Sequence, residues 1–369
     1  MRWREISAPQ TSTAIVRDDA SATAKPERLF SIAVLNLSYR KPNFFDKLLG
    51  RAVSPIVHDI GLDLRAGEVV ALVGESGSGK STIGRAISGR LPPRTGLISL
   101  DGVPLASTLK NRSVEQLRQI QYIFQNPDAS LNPHHRIRTI LERPLRHFEI
   151  EADERVLEAV LENVGLHAGY LDRFPEQLSG GERQRIAIAR ALSVNPKLLI
   201  CDEILSALDV SVQARIVELL RSLKEKHAVA MLFISHDLAV VQQLADRVAV
   251  LYRGKLMQTG NTAMLLSAPL HPYTEMLLEA APGLRKDNYI SRLPAMPTSK
   301  AVPGIGCPLA GRCPWQIGNI CSDTRPPVQA IGNGFIRCHI PVSELADGIA
   351  GSIKRIAGMP MCRAFAGSN

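Results

Sequence analysis

The stretch VVALVGESGSGKSTIGRAI, Val69 to Ile87, constrains this chain more than any other. Five apolar residues suited to a buried strand run into Gly74-Glu75-Ser76-Gly77-Ser78-Gly79-Lys80-Ser81, and a helical pattern follows. The octet satisfies G-x-x-x-x-G-K-[ST]. Its glycines let the backbone curl into a nest whose N–H groups converge on phosphate oxygens. The helix behind it points its positive end at the same place. Lys80 is then expected to reach the β- and γ-phosphates of a nucleoside triphosphate, with Ser81 on Mg²⁺ and Thr82 closing the cradle. A Gly-Ser-rich turn can match such a pattern by chance, but it does not need a strand before it and a helix after it.

The rest of the composition allows this. A chain of 369 residues suffices for one large domain or two, and 45% hydrophobic with 21% charged residues is ordinary for a globular protein. The formal charge of +9 favours anionic partners such as nucleotides, nucleic acid or an acidic membrane face; a slightly basic enzyme explains it equally well. No stretch reaches the ~18 consecutive apolar residues that span a bilayer. The opening MRWREISAPQTSTAIVRDDASATAKPER has no apolar run after its arginines, so a secretory signal is not expected. A cytoplasmic chain follows, in which disulfides are rare.

Residues 1–28 are polar and read as a flexible arm. LFSIAVLNLSYR alternates like a strand, residues 40–55 read as an inserted loop, and HDIGLDLRAGEVVALVG reads as two strands about Ala66-Gly67-Glu68. GLISLDGVPL carries an Asp101-Gly102 hairpin signal. The pattern turns helical from about 128 to 180. The short apolar strands KLLICD and AVAMLFIS flank the amphipathic segment VSVQARIVELLRSLKEK. Apolar strands alternating with helices indicate a largely parallel sheet covered on both faces. HPYTEMLLEAAP is a further helix, and from about Gly283 the chain becomes loop-like and rich in Pro, Gly and Cys.

Three strand ends carry further chemistry. LLICDE closes an apolar strand with two carboxylates: Asp202 is placed to hold Mg²⁺ and Glu203 to polarise an attacking water. MLFISHD delivers His236 to the same sheet edge, where it could sense the γ-phosphate or be structural. Gln125, after QYIF, could contact Mg²⁺ or the water. LSGGERQR (Leu178–Arg185) opens a helix with Ser179-Gly180-Gly181, an anion-binding start.

The order of these motifs resembles that of an ATP-binding-cassette (ABC) ATPase over about residues 30–282. The resemblance implies an α/β fold: a P-loop cassette with a RecA-like core, an antiparallel β subdomain, a helical signature subdomain and a small Cys-containing C-terminal appendage. It implies ATP and Mg²⁺ as ligands, with Glu203, His236 and Gln125 catalytic and Ser81, Gln125 and Asp202 around the metal. Ser179, Gly180, Gly181 and Glu182, with Asp209 of the SALD loop, are implied to meet ATP held by a partner cassette. Arg183 and Arg185 are then expected on a solvated helix face. Tyr39 resembles the aromatic that stacks on adenine, although a core tyrosine competes. Ile204-Leu205 departs from the Pro-Thr common after Asp-Glu in the family, which leaves room for a cassette that binds ATP without hydrolysing it. A soluble ABC protein acting on ribosomes or nucleic acid is the other alternative.

GESGSGKST, QNPDASLNP, SALDVSVQA, HPYTEMLLEAAP and GCPLAGRCPW are similar to the ATPase subunits of oligopeptide and dipeptide importers. This divides the chain into an arm (1–28), a cassette (29–270), an importer-type C-terminal region (271–340) and a polar tail (341–369). The implied substrate is a peptide or a related small solute; relatives with this appendage also move nickel or glutathione. The implied partners are a second cassette, identical or not, two membrane permeases and a periplasmic or extracellular solute-binding protein, with no nucleic acid. The implied location is peripheral, on the cytoplasmic face of a bacterial inner membrane. Cys307, Cys313, Cys321 and Cys338 are spaced C-x5-C-x7-C-x16-C. Some relatives hold a [4Fe–4S] cluster with four such cysteines; zinc, or free thiols in a loop-rich module, stay open. Cys201 reads as core and Cys362 as a free thiol in the tail.

Overall fold

A computed structural model describes residues 28–39, 55–265, 270–281 and 305–346. The expected arm, most of the inserted loop and Cys362 lie outside the described residues. Two sheets organise the described chain. The first is antiparallel, in the order β2-β1-β4-β5, from β1 (Arg28–Leu37), β2 (Val57–Arg65), β4 (Thr95–Leu100) and β5 (Val103–Pro104). The Asp101-Gly102 signal is its β4–β5 turn, with φ of 50° and 74°, as a type I′ hairpin requires.

The second sheet has eight strands. Its centre is the parallel set β9-β3-β8-β7-β6, from β3 (Val69–Val73), β6 (Ile120–Ile123), β7 (Leu198–Asp202), β8 (Ala230–Ser235) and β9 (Arg247–Tyr252). Antiparallel β10 (Lys255–Asn261) continues it, followed by the hairpin β12 (Gly334–Arg337) and β11 (Val328–Ile331). The strands either side of Ala66-Gly67-Glu68 thus separate, β2 into the antiparallel sheet and β3 into the parallel one.

Side chains alternate across a strand, and both faces here are apolar. Val69, Ala71 and Val73 of β3 face one core with Leu199, Cys201, Met231 and Phe233. Val70 and Leu72 face the other with Leu198, Ile200, Leu232 and Ile234. On the second face, α1 (Lys80–Ile87) is packed with the antiparallel sheet through Ile83, Ala86 and Ile87. On the first lie α5 (Gly180–Leu192) and α6 (Val210–His227), joined by the helical segment α3 (Ile137–His147) and α4 (Glu154–Glu162). Leu157 and Leu161 are fully buried there, with Val156 and Val160 packed at the margin. Burying one such side chain contributes roughly 1.5–3 kcal/mol, so the strands are held by their faces as much as by their ladder. Remaining helices are α2 (Val114–Gln119), α7 (Leu238–Leu244), α8 (Thr262–Leu265), α9 (Pro272–Glu279), α10 (Ile320–Asp323) and α11 (Val342–Ala346). No helix among the described residues is long and apolar enough to cross a membrane.

The C-terminal stretch is less loop-like than its composition predicts. Gln258 and Thr259 of β10 pair with Ile336 and Phe335 of β12. Val328, Ile331, Phe335 and Ile336 favour strands about the Gly332-Asn333 turn, and ladder bonds with the buried Ile336 tie that hairpin to the core sheet. His271 caps α9: its Nδ1 accepts from Tyr273 N–H at 3.0 Å, and its own N–H donates to Gln258 Oε1 at 2.9 Å. Burial drives its pKa down from 6.5 to about 3, so the folded chain keeps it neutral. Below pH 6.5 the unfolded chain takes up a proton that the folded chain refuses. The His271 contribution is therefore flat above 6.5 and destabilising below it, by roughly 1.4 kcal/mol per pH unit. Thermal melts from pH 7.5 to 5.5 should show Tm falling, with a shallower slope in His271→Asn, which keeps a capping acceptor.

Candidate functional site

Parallel pairing puts the chemistry on one edge. Val73 pairs with Ser235, Asp202 with Ile234, and Ile123 with Cys201, so β3, β8, β7 and β6 end within a residue or two of each other. Gly74, His236 and Glu203 follow directly, and Gln125 follows one residue beyond the end of β6. An open α/β sheet binds ligands at this carboxyl edge.

The phosphate loop is shaped for close approach. Gly74 has φ 151°, and a Cβ there would sit 2.1 Å from the Leu251 carbonyl oxygen. Gly79, with φ 106°, starts α1, a conformation that L side chains rarely adopt. Lys80 Nζ donates to the carbonyls of Gly74 (2.8 Å) and Glu75 (3.1 Å) and lies 3.6 Å from Glu203 Oε1. Burial lowers its pKa, which Glu203 and Asp202 partly offset. Ser78 Oγ is buried and has no hydrogen-bond partner among the described residues. Such an atom is costly unless a ligand completes it, and a phosphate oxygen would. The residues present thus fit ATP.

Below the loop, Ser81 Oγ donates to Asp202 Oδ1 at 2.8 Å and Tyr122 Oη donates to Oδ2 at 2.5 Å. A hydroxyl and a carboxylate at this spacing are hard oxygen donors suited to Mg²⁺. Glu203 has φ 49°, left-handed for a non-glycine residue, and its N–H donates to Ile234 O at 3.0 Å. Such a conformation costs about 1–3 kcal/mol and persists where its surroundings enforce it. His236 is exposed, its Nδ1 3.9 Å from Glu203 Oε1. Gln125 Nε2 donates to Ser206 Oγ at 3.2 Å, and Ser206 Oγ donates to Glu203 O at 2.9 Å. Tyr39 is 56% exposed and its hydroxyl meets Thr82 Oγ1 at 2.9 Å, so its ring is open beside the loop rather than core. Ile204 and Leu205 are buried in the larger core, which accounts for apolar residues there.

The signature helix is held by local bonds. Ser179 caps α5, and Glu182 reaches back to Ser179 N–H at 2.7 Å, a capping box. Tyr170 Oη donates to the same carboxylate, and with the backbone bond lowers its pKa. Asp209 caps α6, accepting from Val212 N–H at 2.9 Å. A Cβ on Gly181 would lie 2.5 Å from Val212 Cγ1, so packing of α5 on α6 already demands glycine there. Arg183 and Arg185 do not form a solvated face. Arg183 pairs with Asp128 and the Leu178 carbonyl, and Arg185 with the Val164 carbonyl. The Leu178 carbonyl before α5, the Val164 carbonyl after α4 and the Asp128 carboxylate outcompete water for them.

Two relatives and two solved structures place this geometry. A provisionally named peptide import ATP-binding protein of Brucella abortus (strain 2308) is 44% identical over 296 residues, covering 79% of this chain and 88% of the relative. The chain belongs to the ABC transporter ATP-binding family. A similarly named protein of Brucella ovis is 42% identical over 294 residues, covering 78% of this chain and 92% of its own. The family pattern "ABC transporter" matches residues 57–206, and "Oligopeptide/dipeptide transporter, C-terminal region" matches 257–321. Among solved structures, cbiO1 of Clostridium perfringens, part of the ABC transporter complex cbiONQ, aligns with TM-score 0.57 and 25% identity, covering 65% of this chain and 90% of that one. A dimeric ATP-binding cassette in a post-hydrolysis state, bound to ADP and Pi, aligns with TM-score 0.54 and 26% identity, covering 63% and 98%. The fold is that of an ABC cassette, and the chain is an ABC ATPase.

Three residues of this ABC ATPase's site escape sequence reasoning. Tyr122 is an apolar-strand residue until pairing sets it beside Asp202. Tyr273 and Arg312 reach Glu75 from 198 and 237 residues away. No local pattern reports such contacts. The four cysteines share one module: Cys307 N–H donates to Cys321 O at 2.7 Å, and Ile317 N–H to Cys321 Sγ at 3.4 Å. Burial pushes the Cys313 thiol up to about 12 and Cys338 to about 11, with smaller contributions from the other thiols. Among the described residues no three His, Cys, Asp or Glu side chains are gathered closely enough to hold a metal ion. The donor set suits iron and sulfur in kind but is not drawn together.

The Gly181–Val212 contact makes a prediction. Gly181→Ala should cost about 1–3 kcal/mol by overpacking, read as a lower Tm. Adding Val212→Ala should recover most of that stability, whereas an unrelieved loss would show that the tight contact is not what demands glycine.

Proposed function

We propose that this cassette energises import of peptides or closely related small solutes through a membrane complex. The observation that carries this reading is the importer-type C-terminal region, built into the core sheet by β12 beside a cassette that retains Lys80, Asp202, Glu203 and His236. The relatives named for peptide import extend over most of the chain and support the same reading. The proposed boundaries are a cassette over 29–270 and an importer region over 271–340.

In this proposal the partners are a second cassette, two permeases and a solute-binding protein, with the chain peripheral on the cytoplasmic side of the membrane. ATP lies in the cradle of residues 74–82 with adenine on the Tyr39 ring. Ser179, Gly180 and Gly181 of this chain close over the γ-phosphate held in the partner cassette's cradle, with Glu182 and Asp209 fixing the helix starts that present them. Ser81, Asp202 and Gln125 would hold Mg²⁺, which would supply charge neutralisation for the phosphates. Glu203 accepts a proton from water as its oxygen bonds to the γ-phosphorus. The bond to the bridging oxygen breaks, and ADP and phosphate leave. His236 donates a hydrogen bond to the γ-phosphate and so reports its loss. For the cysteine module, a [4Fe–4S] cluster would require Cys307, Cys313, Cys321 and Cys338 to be drawn together, and no step runs through it.

Three measurements test these readings. Glu203→Gln should lower turnover by ~100-fold or more and retain ATP in a stable dimer seen by light scattering. Near wild-type turnover in that variant would refute the assigned base. In proteoliposomes with its permeases and binding protein, wild type should drive uptake of labelled di- or oligopeptides; uptake of none of them, with ATPase intact, would refute the peptide assignment. Anaerobically purified protein carrying the cluster should show broad visible absorption and about four irons per chain; a colourless chain without iron would refute it.

A further inference from the structure

We infer that the C-terminal module clamps the phosphate loop, with Arg312 and Tyr273 as positioning residues for ATP binding. The inference rests on ATP binding at residues 74–82 and adds to it a reason for the module to be there.

Glu75 is gripped on three sides. Its N–H donates to Tyr273 Oη at 2.8 Å. Its carboxylate receives Arg312 Nη1 at 3.1 Å and Nη2 at 3.2 Å. Its carbonyl accepts from Lys80 Nζ at 3.1 Å. Arg312 also donates to the Tyr252 hydroxyl at 2.9 Å, and the Tyr252 and Tyr273 rings pack 4.5 Å apart. An exposed ion pair is worth little. A two-pronged guanidinium–carboxylate pair with a phenol as third partner belongs to the strong class, and Arg312 is only 23% exposed. Pairing with Glu75 raises the Arg312 pKa, in keeping with a tight contact.

The clamp is rigidly mounted. His271 caps α9 and Pro272 begins it, which aims Tyr273 at the loop. The HPY triplet thus reads as cap, helix start and reaching hydroxyl. Arg312 sits in a turn closed by its N–H to Leu309 O at 2.9 Å, and Leu309 is buried in the main core. The β9–β10 turn grips the loop a second time, through Gly254 N–H to Ser78 O at 2.8 Å, and β12 extends that hairpin.

A loop with glycines at 74, 77 and 79 orders poorly by itself. The entropy lost in ordering it would otherwise oppose ATP binding. A clamp at Glu75 removes much of that loss without touching ATP or the reacting atoms. Releasing it should therefore act on affinity and spare the chemical step.

The test compares KM for MgATP and kcat in the purified full chain. Arg312→Ala should raise KM about fivefold to tenfold, with kcat within about twofold. Arg312→Lys should recover part of the loss. Arg312→Ala combined with Glu75→Gln should be no worse than the more severe single variant. Tyr273→Phe, which deletes one hydroxyl from an unchanged ring, should raise KM about threefold, and covers the case in which Arg312→Ala fails to fold. A wild-type KM in both Arg312→Ala and Tyr273→Phe, or multiplying effects in the double variant, would overturn the clamp. A wild-type chain that neither binds nor hydrolyses ATP would instead overturn the reading beneath it.

Discussion

The ladder register among β3, β8, β7 and β6 is the constraint on which the rest depends. Parallel pairing brings four strand ends to one edge, and each end hands over one part of the site. The register is enforced by the two apolar cores, since a slip of one residue would exchange the faces of every strand. Helix α1 can stand at that edge because it is packed between the two sheets, and its first turn carries Lys80 and Ser81.

Charge at this edge is arranged before any phosphate arrives. Lys80 is drawn out of water yet surrounded by two carbonyls and Glu203, so its cost of burial is met by partners that an anionic ligand can replace. Asp202 is held by two hydroxyls, one from the helix and one from β6. Glu203 stays in a left-handed conformation because its N–H is tied to β8. Preorganisation of this kind lowers the reorganisation required during reaction.

The C-terminal region belongs to the same mechanical unit. It adds strands to the core sheet beyond β10 and returns two side chains to the phosphate loop. A segment whose composition suggests an independent, loop-rich appendage is in fact supported by the sheet, and supports it.

Local patterns were sufficient for much of this. A strand, G-x-x-x-x-G-K-S and a helix are read from contiguous residues, because phosphate binding at a helix start is a local geometry. The same holds for the capping box at Ser179–Glu182, the Asp101-Gly102 turn, the apolar strands and the order of motifs that marks the family. Tertiary structure alone decided what lies far apart along the chain: Tyr122 on Asp202, Val212 against Gly181, Arg183 and Arg185 on loop carbonyls, Arg312 and Tyr273 on Glu75. It also parted β2 from β3 into different sheets and joined the β11–β12 hairpin to β10. Periodicity reports which face of a segment is buried, but not which partner meets it, since the hydrophobic effect has no direction. Partners are selected only when the sheet closes and buried polar groups must find one another.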